Sequence, residues 1–163
     1  MQRDFGRMSF LFRSSKDKVK NIDANLRKNP PFLSIIVLSW NRLELLRTTV
    51  LSLLANTHCP FEMFIVDNNS SKNCTDWIKF ISKDHSCIQP ILLNENRGGE
   101  AINCGLERAR GAFICISEND LEYLPSWDIH MLIPFFCFKQ LGQISPFSPF
   151  PMVDMGEVWN DKA

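Results

Sequence analysis

The sequence lacks any net charge: 18 Lys and Arg balance 18 Asp and Glu. Global electrostatics therefore gives no argument for nucleic acid, and none is expected as a partner. It also lacks C-x-x-C pairs and zinc spacing. The six cysteines stand apart at 59, 74, 87, 104, 115 and 137, which reads as reduced thiols of a cytoplasmic protein. Cys104 and Cys115 fall inside apolar patterns and read as small core residues. No stretch nears the roughly 20 apolar residues of a membrane span; Leu132 to Phe138 is too short and contains Pro134. Met8 to Phe12 is too short for the apolar region of a signal peptide. His58, His85 and His130 are scattered and make no metal set. There is no Gly-rich phosphate loop with a lysine, and no G-x-G-x-x-G, which argues against other α/β nucleotide enzymes such as nucleotidyltransferases.

What is present is enough for one domain: 163 residues, 45% hydrophobic and 22% charged, a composition that buries a core. The charge is uneven. Residues 1–30 hold eight basic and three acidic side chains, leaving the remainder net acidic by five. Such a leader is a candidate for peripheral contact with a membrane surface or a partner, a solvated tail being the alternative. It lacks clear periodicity and reads as a mobile extension or a short helix around Lys16 to Leu26. Pro30-Pro31 marks the boundary. A domain over 31–141 and a Pro/Phe-rich tail over 142–163 complete the division.

From Leu33 a unit repeats. Leu33 to Ser39 is a β-branched apolar run, read as a strand buried on both faces. Asn41 reads as an N-cap, with Glu44 completing a capping box. Leu43, Leu46, Val50, Leu53 and Leu54 then recur at helical spacing. Phe61 to Val66 is a second strand ending at Asp67-Asn-Asn-Ser-Ser71. Cys74, Trp77, Ile78 and Ile81 stripe a second helix. Gln89 to Leu93 is a third strand. Ile102, Gly105, Leu106 and Ala109 stripe a third helix, ended by Gly111. Ala112 to Ile116 is a fourth strand, followed by Glu118, Asn119 and Asp120 and a helix from near Pro125. Strands alternating with helices predict an α/β fold: a mostly parallel sheet with helices on both faces.

Ligands of such sheets bind at the carboxyl ends of the strands, where the strand order reverses. Each polar cluster of this chain follows such an end: Asn41-Arg42, Asp67 to Asn69, Asn96 to Gly98, and Glu118 to Asp120. All four are expected on one rim. Two carboxylates one residue apart after a buried strand suit a hard divalent cation, Mg²⁺ or Mn²⁺, which takes oxygen ligands and shares them with substrate phosphates. An acidic turn capping the next helix is the plain alternative. Glu122 is a further candidate ligand or an exposed turn residue. Gly98-Gly99 either brings backbone close to a phosphate or frees a loop. Tyr123 and Trp127 are expected to pack beneath the acidic loop.

Ser34-Ile-Ile-Val with Asn41-Arg42, Ile65-Val-Asp-Asn-Asn-Ser70, Asn96-x-Gly98 with Ala101-x-Asn103-x-Gly105, and Glu118-Asn-Asp120 before Leu124-Pro-Ser-Trp127 together resemble family 2 glycosyltransferases. The resemblance spans roughly residues 33–130, about 60% of the chain. It implies the Rossmann-like, nucleotide-binding half of a GT-A fold, and sugar transfer from a nucleotide-diphospho-sugar donor with Mn²⁺ or Mg²⁺. Asp67 matches the acid that reads the base, commonly uracil. Ser39 to Arg42 match the segment packed on base and ribose. Asn96 and Gly98 match a loop near nucleotide and sugar, and Asn119 is grouped with them. Glu118-Asn119-Asp120 takes the place of the Asp-x-Asp motif, with Asp120 as the metal ligand and Glu118 departing from the usual Asp. Arg42 is a candidate for a phosphate or base contact, or lies across the surface.

The resemblance also implies an acceptor half carrying a general base. Only 43 residues follow Asp120, and Asp154, Glu157 and Asp161 fit no pattern for that base. The expectation is a nucleotide-binding half of a longer enzyme, with an unknown glycan, lipid or protein acceptor. A non-catalytic nucleotide-sugar-binding module is the alternative.

Overall fold

The computed structural model describes residues 5–146. Asp154, Glu157 and Asp161 lie outside the described residues. Four parallel strands form one sheet: β1 (Leu33–Ser39), β2 (Phe61–Asp67), β3 (Ile88–Leu92) and β4 (Phe113–Ser117), in the order β3-β2-β1-β4. β1 pairs with β2 from Leu33↔Phe61 to Ser39↔Asp67, and with β4 from Leu33↔Phe113. The chain builds outward from β1 to β3, then returns to the other side of β1. The order therefore reverses at β1, which creates a crevice above its carboxyl end.

The helices follow from where each apolar stripe is buried. α2 (Leu43–Asn56) and α3 (Lys72–Asp84) cover one face, where Leu46, Val50, Leu53, Ile78 and Ile81 meet Ile35, Val37, Met63 and Ile65. Ile36, Phe64, Val66 and Ile91 point to the other face and pack on Ala101 and Ile102. That face is covered by a 3₁₀ turn (Gly98–Ile102) running into one turn of helix, α4 (Asn103–Leu106). α1 (Phe5–Lys28) and α5 (Trp127–Cys137) close the base, where Leu26 meets Leu33, Ile129 and Leu132. The basic leader is thus helical over far more than Lys16 to Leu26, because its end has an apolar partner in α5. Among the described residues, no helix is long and apolar enough to cross a membrane.

Two local expectations fail. Asn41 does not cap α2. Asn41 and Arg42 both sit in the left-handed region (φ 55° and 51°), and Arg42, at the cap position, makes no side-chain cap bond. The Asn41 side chain instead accepts the Ser71 N–H at 2.9 Å, at the start of α3. Gly111 does not end a helix, since α4 stops at Leu106. A Cβ on Gly111 would lie 2.3 Å from the Ser34 backbone nitrogen. Glycine is required there by the close passage of two backbones.

The base holds two polar clamps. Glu62 is buried in β2 and accepts from Ser34 Oγ at 2.8 Å, the Arg110 N–H at 2.8 Å and Arg110 Nη2 at 2.6 Å. Burial alone would raise its carboxyl, but the Arg110 and Ser34 hydrogen bonds and the Arg110 charge outweigh it and hold it below its ordinary 4.5. A carboxyl lowered on folding contributes stability above its unfolded value and loses it as pH falls through the folded one. The melting temperature should therefore drop on acidification below about pH 4.5. Glu62→Gln should start lower at pH 7 and lose less with acid; parallel melting curves for the two proteins would refute the clamp. At the second clamp, buried Asp128 accepts the N–H groups of His58 (2.8 Å) and Cys59 (2.7 Å) and fixes α5 to the α2–β2 loop. Burial, then the Asp128 hydrogen bond, pushes the Cys59 thiol up to about 12. That thiol is structural rather than reactive.

Candidate nucleotide and cation site

The four polar clusters do meet at one rim, and hydrogen bonds tie them together. From β2, Asp67 Oδ2 accepts the Ser70 N–H at 3.0 Å. Ser70 Oγ accepts the Asn41 N–H at 2.7 Å, which links the β2 loop to the β1 loop. The Asn41 carbonyl accepts from Asn119 Nδ2 at 3.3 Å, and Arg42 Nη1 donates to Asp120 Oδ2 at 2.7 Å. Those two bonds link the β1 loop to the acidic loop after β4. In the fourth cluster, Asn68 Nδ2 donates to Asn96 Oδ1 (2.9 Å) and to the Gly98 carbonyl (3.0 Å), while its Oδ1 accepts the Arg97 N–H (2.7 Å).

Left-handed backbone is concentrated here. Among the described residues, the non-glycine positive φ values are at Asn41, Arg42, Asn69 and Ser126, and Gly98 adds 56°. All but Ser126 lie in the rim loops. Such conformations cost energy and persist where surrounding bonds over-determine them, which is common at functional sites.

Ser39 and Asp67 lie side by side in the β1–β2 register, both fully buried. Among the described residues, Ser39 Oγ and Asp67 Oδ1 have no hydrogen-bond partner. Buried polar atoms are nearly always paired, so each such atom needs a reason. Asp128 Oδ1 is also unpaired, so the property alone does not mark a ligand. What distinguishes Ser39 and Asp67 is that two such residues are register partners at the ends of β1 and β2, on the rim where the loops converge.

The acidic loop is firmly seated. Thr49 Oγ1 donates to the Leu121 carbonyl at 2.7 Å and Asn56 Nδ2 to the Tyr123 carbonyl at 2.6 Å. Tyr123 stacks edge-on to Trp127 with ring centres 4.6 Å apart and donates to Ser117 Oγ at 2.8 Å. Burial raises its phenol, and pushes the neighbouring Cys115 thiol up to about 11. The two aromatics thus brace the loop from below, on the α2 side. Glu118 and Asp120 are exposed and Asn119 is buried between them. Among the described residues, no three His, Cys, Asp or Glu side chains converge. Any cation here would rest on Glu118 and Asp120 and draw further oxygens from substrate and water.

Two of the expected site residues also hold the loops together. The side-chain carbonyl of Asn96 is spent on Asn68 and on the Gly98 N–H, and Asn119 braces Asn41, so both serve as struts between loops. Asn68 was not singled out by the sequence, yet it is buried and joins two clusters. Its signal was the doubled asparagine directly after a strand, a pairing that favours side-chain to backbone bonds.

Comparisons with known proteins bear on the family and the fold. The pattern of the glycosyl transferase family 2 matches residues 34–157. The putative teichuronic acid biosynthesis glycosyltransferase TuaG of Bacillus subtilis is 34% identical over 91 residues, 55% of this chain and 36% of that protein. The uncharacterized glycosyltransferase RP339 of Rickettsia prowazekii is 32% identical over 103 residues, 63% of this chain and 31% of that protein. The chain thus spans about a third of the length of these curated relatives. Among solved structures, the mannosyltransferase PcManGT of Pyrobaculum calidifontis, in complex with GDP-Man and Mn²⁺, superposes with a TM-score of 0.61 at 18% identity. That match covers 78% of this chain and 39% of the other, and at such identity it bears on the fold alone. With a parallel sheet reversing at β1, polar loops gathered at its carboxyl rim and a family match over most of its length, the chain belongs to glycosyl transferase family 2.

Proposed function

We propose that this chain forms the donor-binding half of a metal-dependent glycosyltransferase that takes a UDP-linked sugar. The observation that carries the reading is that two register partners at the rim, Asp67 and Ser39, each hold a buried, unpaired atom, Oδ1 and Oγ. Asp67 has one oxygen engaged by the Ser70 N–H and the other free. A single free carboxylate oxygen matches a base edge with a single N–H donor, which is the imide of uracil. Charge-assisted bonds of that kind are short and strong. Ser39, Asn41 and Arg42 would flank base, ribose and phosphate. Asn96 and Asn119 would hold the loops that shape the pocket, with Gly98 bringing backbone close.

Asp120, with Glu118 as second donor, fits a divalent cation: both are exposed carboxylates, and hard ions prefer oxygen shared with substrate phosphates. When bound, Mn²⁺ or Mg²⁺ supplies a Lewis acid that offsets the charge developing on the departing diphosphate. A protein of similar fold was solved with GDP-Man and Mn²⁺, which is consistent with a divalent cation in the reaction. The acceptor, a glycan, lipid or protein, would be bound mainly by residues beyond the sheet described above.

Calorimetry with UDP and GDP, each with and without Mn²⁺, tests the reading. UDP with Mn²⁺ is expected to bind best. Asp67→Ala should weaken UDP about 10-fold or more, the loss of one charged hydrogen bond. Unaltered affinity in that variant would remove Asp67 from the site. Donor hydrolysis or sugar transfer, followed by release of UDP, separates an enzyme from a module that only binds.

A further inference from the structure

Arg42 already occupies the carboxylate that the acidic loop would offer to a cation. Its Nη1 donates to Asp120 Oδ2 at 2.7 Å. Asn41 and Arg42 are consecutive left-handed residues, a conformation asparagine tolerates and arginine disfavours. Asn41 is held there by Ser70, Ser71 and Asn119, and the turn aims the guanidinium at Asp120.

The pair is open to water, with 56% of the Arg42 side chain and 40% of the Asp120 side chain exposed. Exposed ion pairs are weak, so a dication can take over the carboxylate at little cost; breaking a buried pair would be prohibitive. Glu118 lies two residues before Asp120, and no third ligand joins them among the described residues. A free cation therefore meets two carboxylates, one of them already neutralised.

We infer that Arg42 is a counter-ion that weakens the hold of Asp120 on free cations and transfers to the donor's diphosphate when cation and nucleotide arrive together. The inference rests on the site reading proposed above. After the exchange every charge has a partner: Asp120 faces the cation and Arg42 faces phosphate oxygens, which its planar fork suits better than a lysine does. Without it, guanidinium and dication would crowd one carboxylate. The consequence is coupling: nucleotide and cation each bind more tightly in the presence of the other.

The test is a titration of Mn²⁺ on the full chain, read by the electron paramagnetic resonance of free Mn²⁺, with and without UDP. Arg42→Gly relieves the left-handed strain and so should fold at least as well as the wild type. It is expected to bind Mn²⁺ alone about two- to five-fold tighter. It should bind UDP in the presence of Mn²⁺ about 10-fold weaker or more. Arg42→Lys, which keeps the charge but not the fork, should leave Mn²⁺ alone as weak as in the wild type and lose part of the UDP affinity. A residue that merely supports the loop would not move the two affinities in opposite directions. Mn²⁺ affinity unchanged or weaker in Arg42→Gly overturns the counter-ion role while leaving the site reading standing. Wild-type protein that fails to bind UDP under any condition overturns the site reading itself.

Discussion

Asp120→Asn should abolish the Mn²⁺-dependent part of UDP binding and slow donor turnover about 100-fold or more. A cation offsetting charge on a leaving diphosphate is worth several kcal/mol, and each factor of ten needs only about 1.4 kcal/mol. Asparagine keeps the size of the side chain and removes the anionic oxygen. The cost to the fold is small. Among the described residues Asp120 Oδ2 bonds only to the guanidinium of Arg42, and both side chains are well exposed. Such a pair contributes about 0.2–1 kcal/mol, so the melting temperature should move by no more than about 2–4 °C. Thermal shift with UDP, with and without Mn²⁺, reads both quantities in one experiment. A steep loss of melting temperature would make Asp120 a structural cap of the acidic turn.

The largest effect on the fold is expected at Gly111. An added Cβ would lie 2.3 Å from the Ser34 nitrogen, 2.7 Å from the Leu33 carbonyl carbon and 2.8 Å from the Phe113 oxygen. All three are backbone atoms of paired strands and cannot swing away. The Gly111 N–H also donates to Ser34 Oγ at 2.8 Å, and the Ala112 N–H to the Phe32 carbonyl at 2.8 Å. β4 is an edge strand held in the sheet by β1 alone, so pushing its first residues outward unzips the strand that carries the acidic loop. Gly111→Ala should cost about 3 kcal/mol or more, a large share of a domain stability of about 5–15 kcal/mol. Gly99→Ala is the control, since nothing lies within 4 Å of a Cβ there. Chemical denaturation should separate the two variants clearly; equal midpoints would mean that the β1–β4 contact yields.

Where sequence reasoning erred, a distant partner had overruled a local signal. Asn41 followed by Glu44 is sound capping chemistry, yet the asparagine is claimed by Ser71, 30 residues on. The stripe from Ile102 to Ala109 has helical spacing, but only one turn of α-helix forms. The chain leaves that turn early, and Arg110 then anchors on Glu62 and Gly111 passes against Ser34. Glu62 drew no comment in the apolar run Phe61 to Val66; its burial is explained by Arg110, which the fold brings beside it. The run Ala112 to Ile116 was read as a buried strand, yet β4 lies at the sheet edge with Ile114 and Ile116 about half exposed; β2, which ends in Asp67, is buried as its apolar run implies.

The sequence by itself determined the strands, their parallel class and the side of the sheet on which the polar loops gather. Those features follow from hydrophobic periodicity and from the chain direction, both of which are local. Tertiary structure alone decided the reversal of strand order at β1, the burial of Asp67 beside Ser39, and the pairing of Arg42 with Asp120 across 78 residues of chain. Each of these depends on which atoms other segments bring within about 3 Å, and no window of the sequence contains that distance.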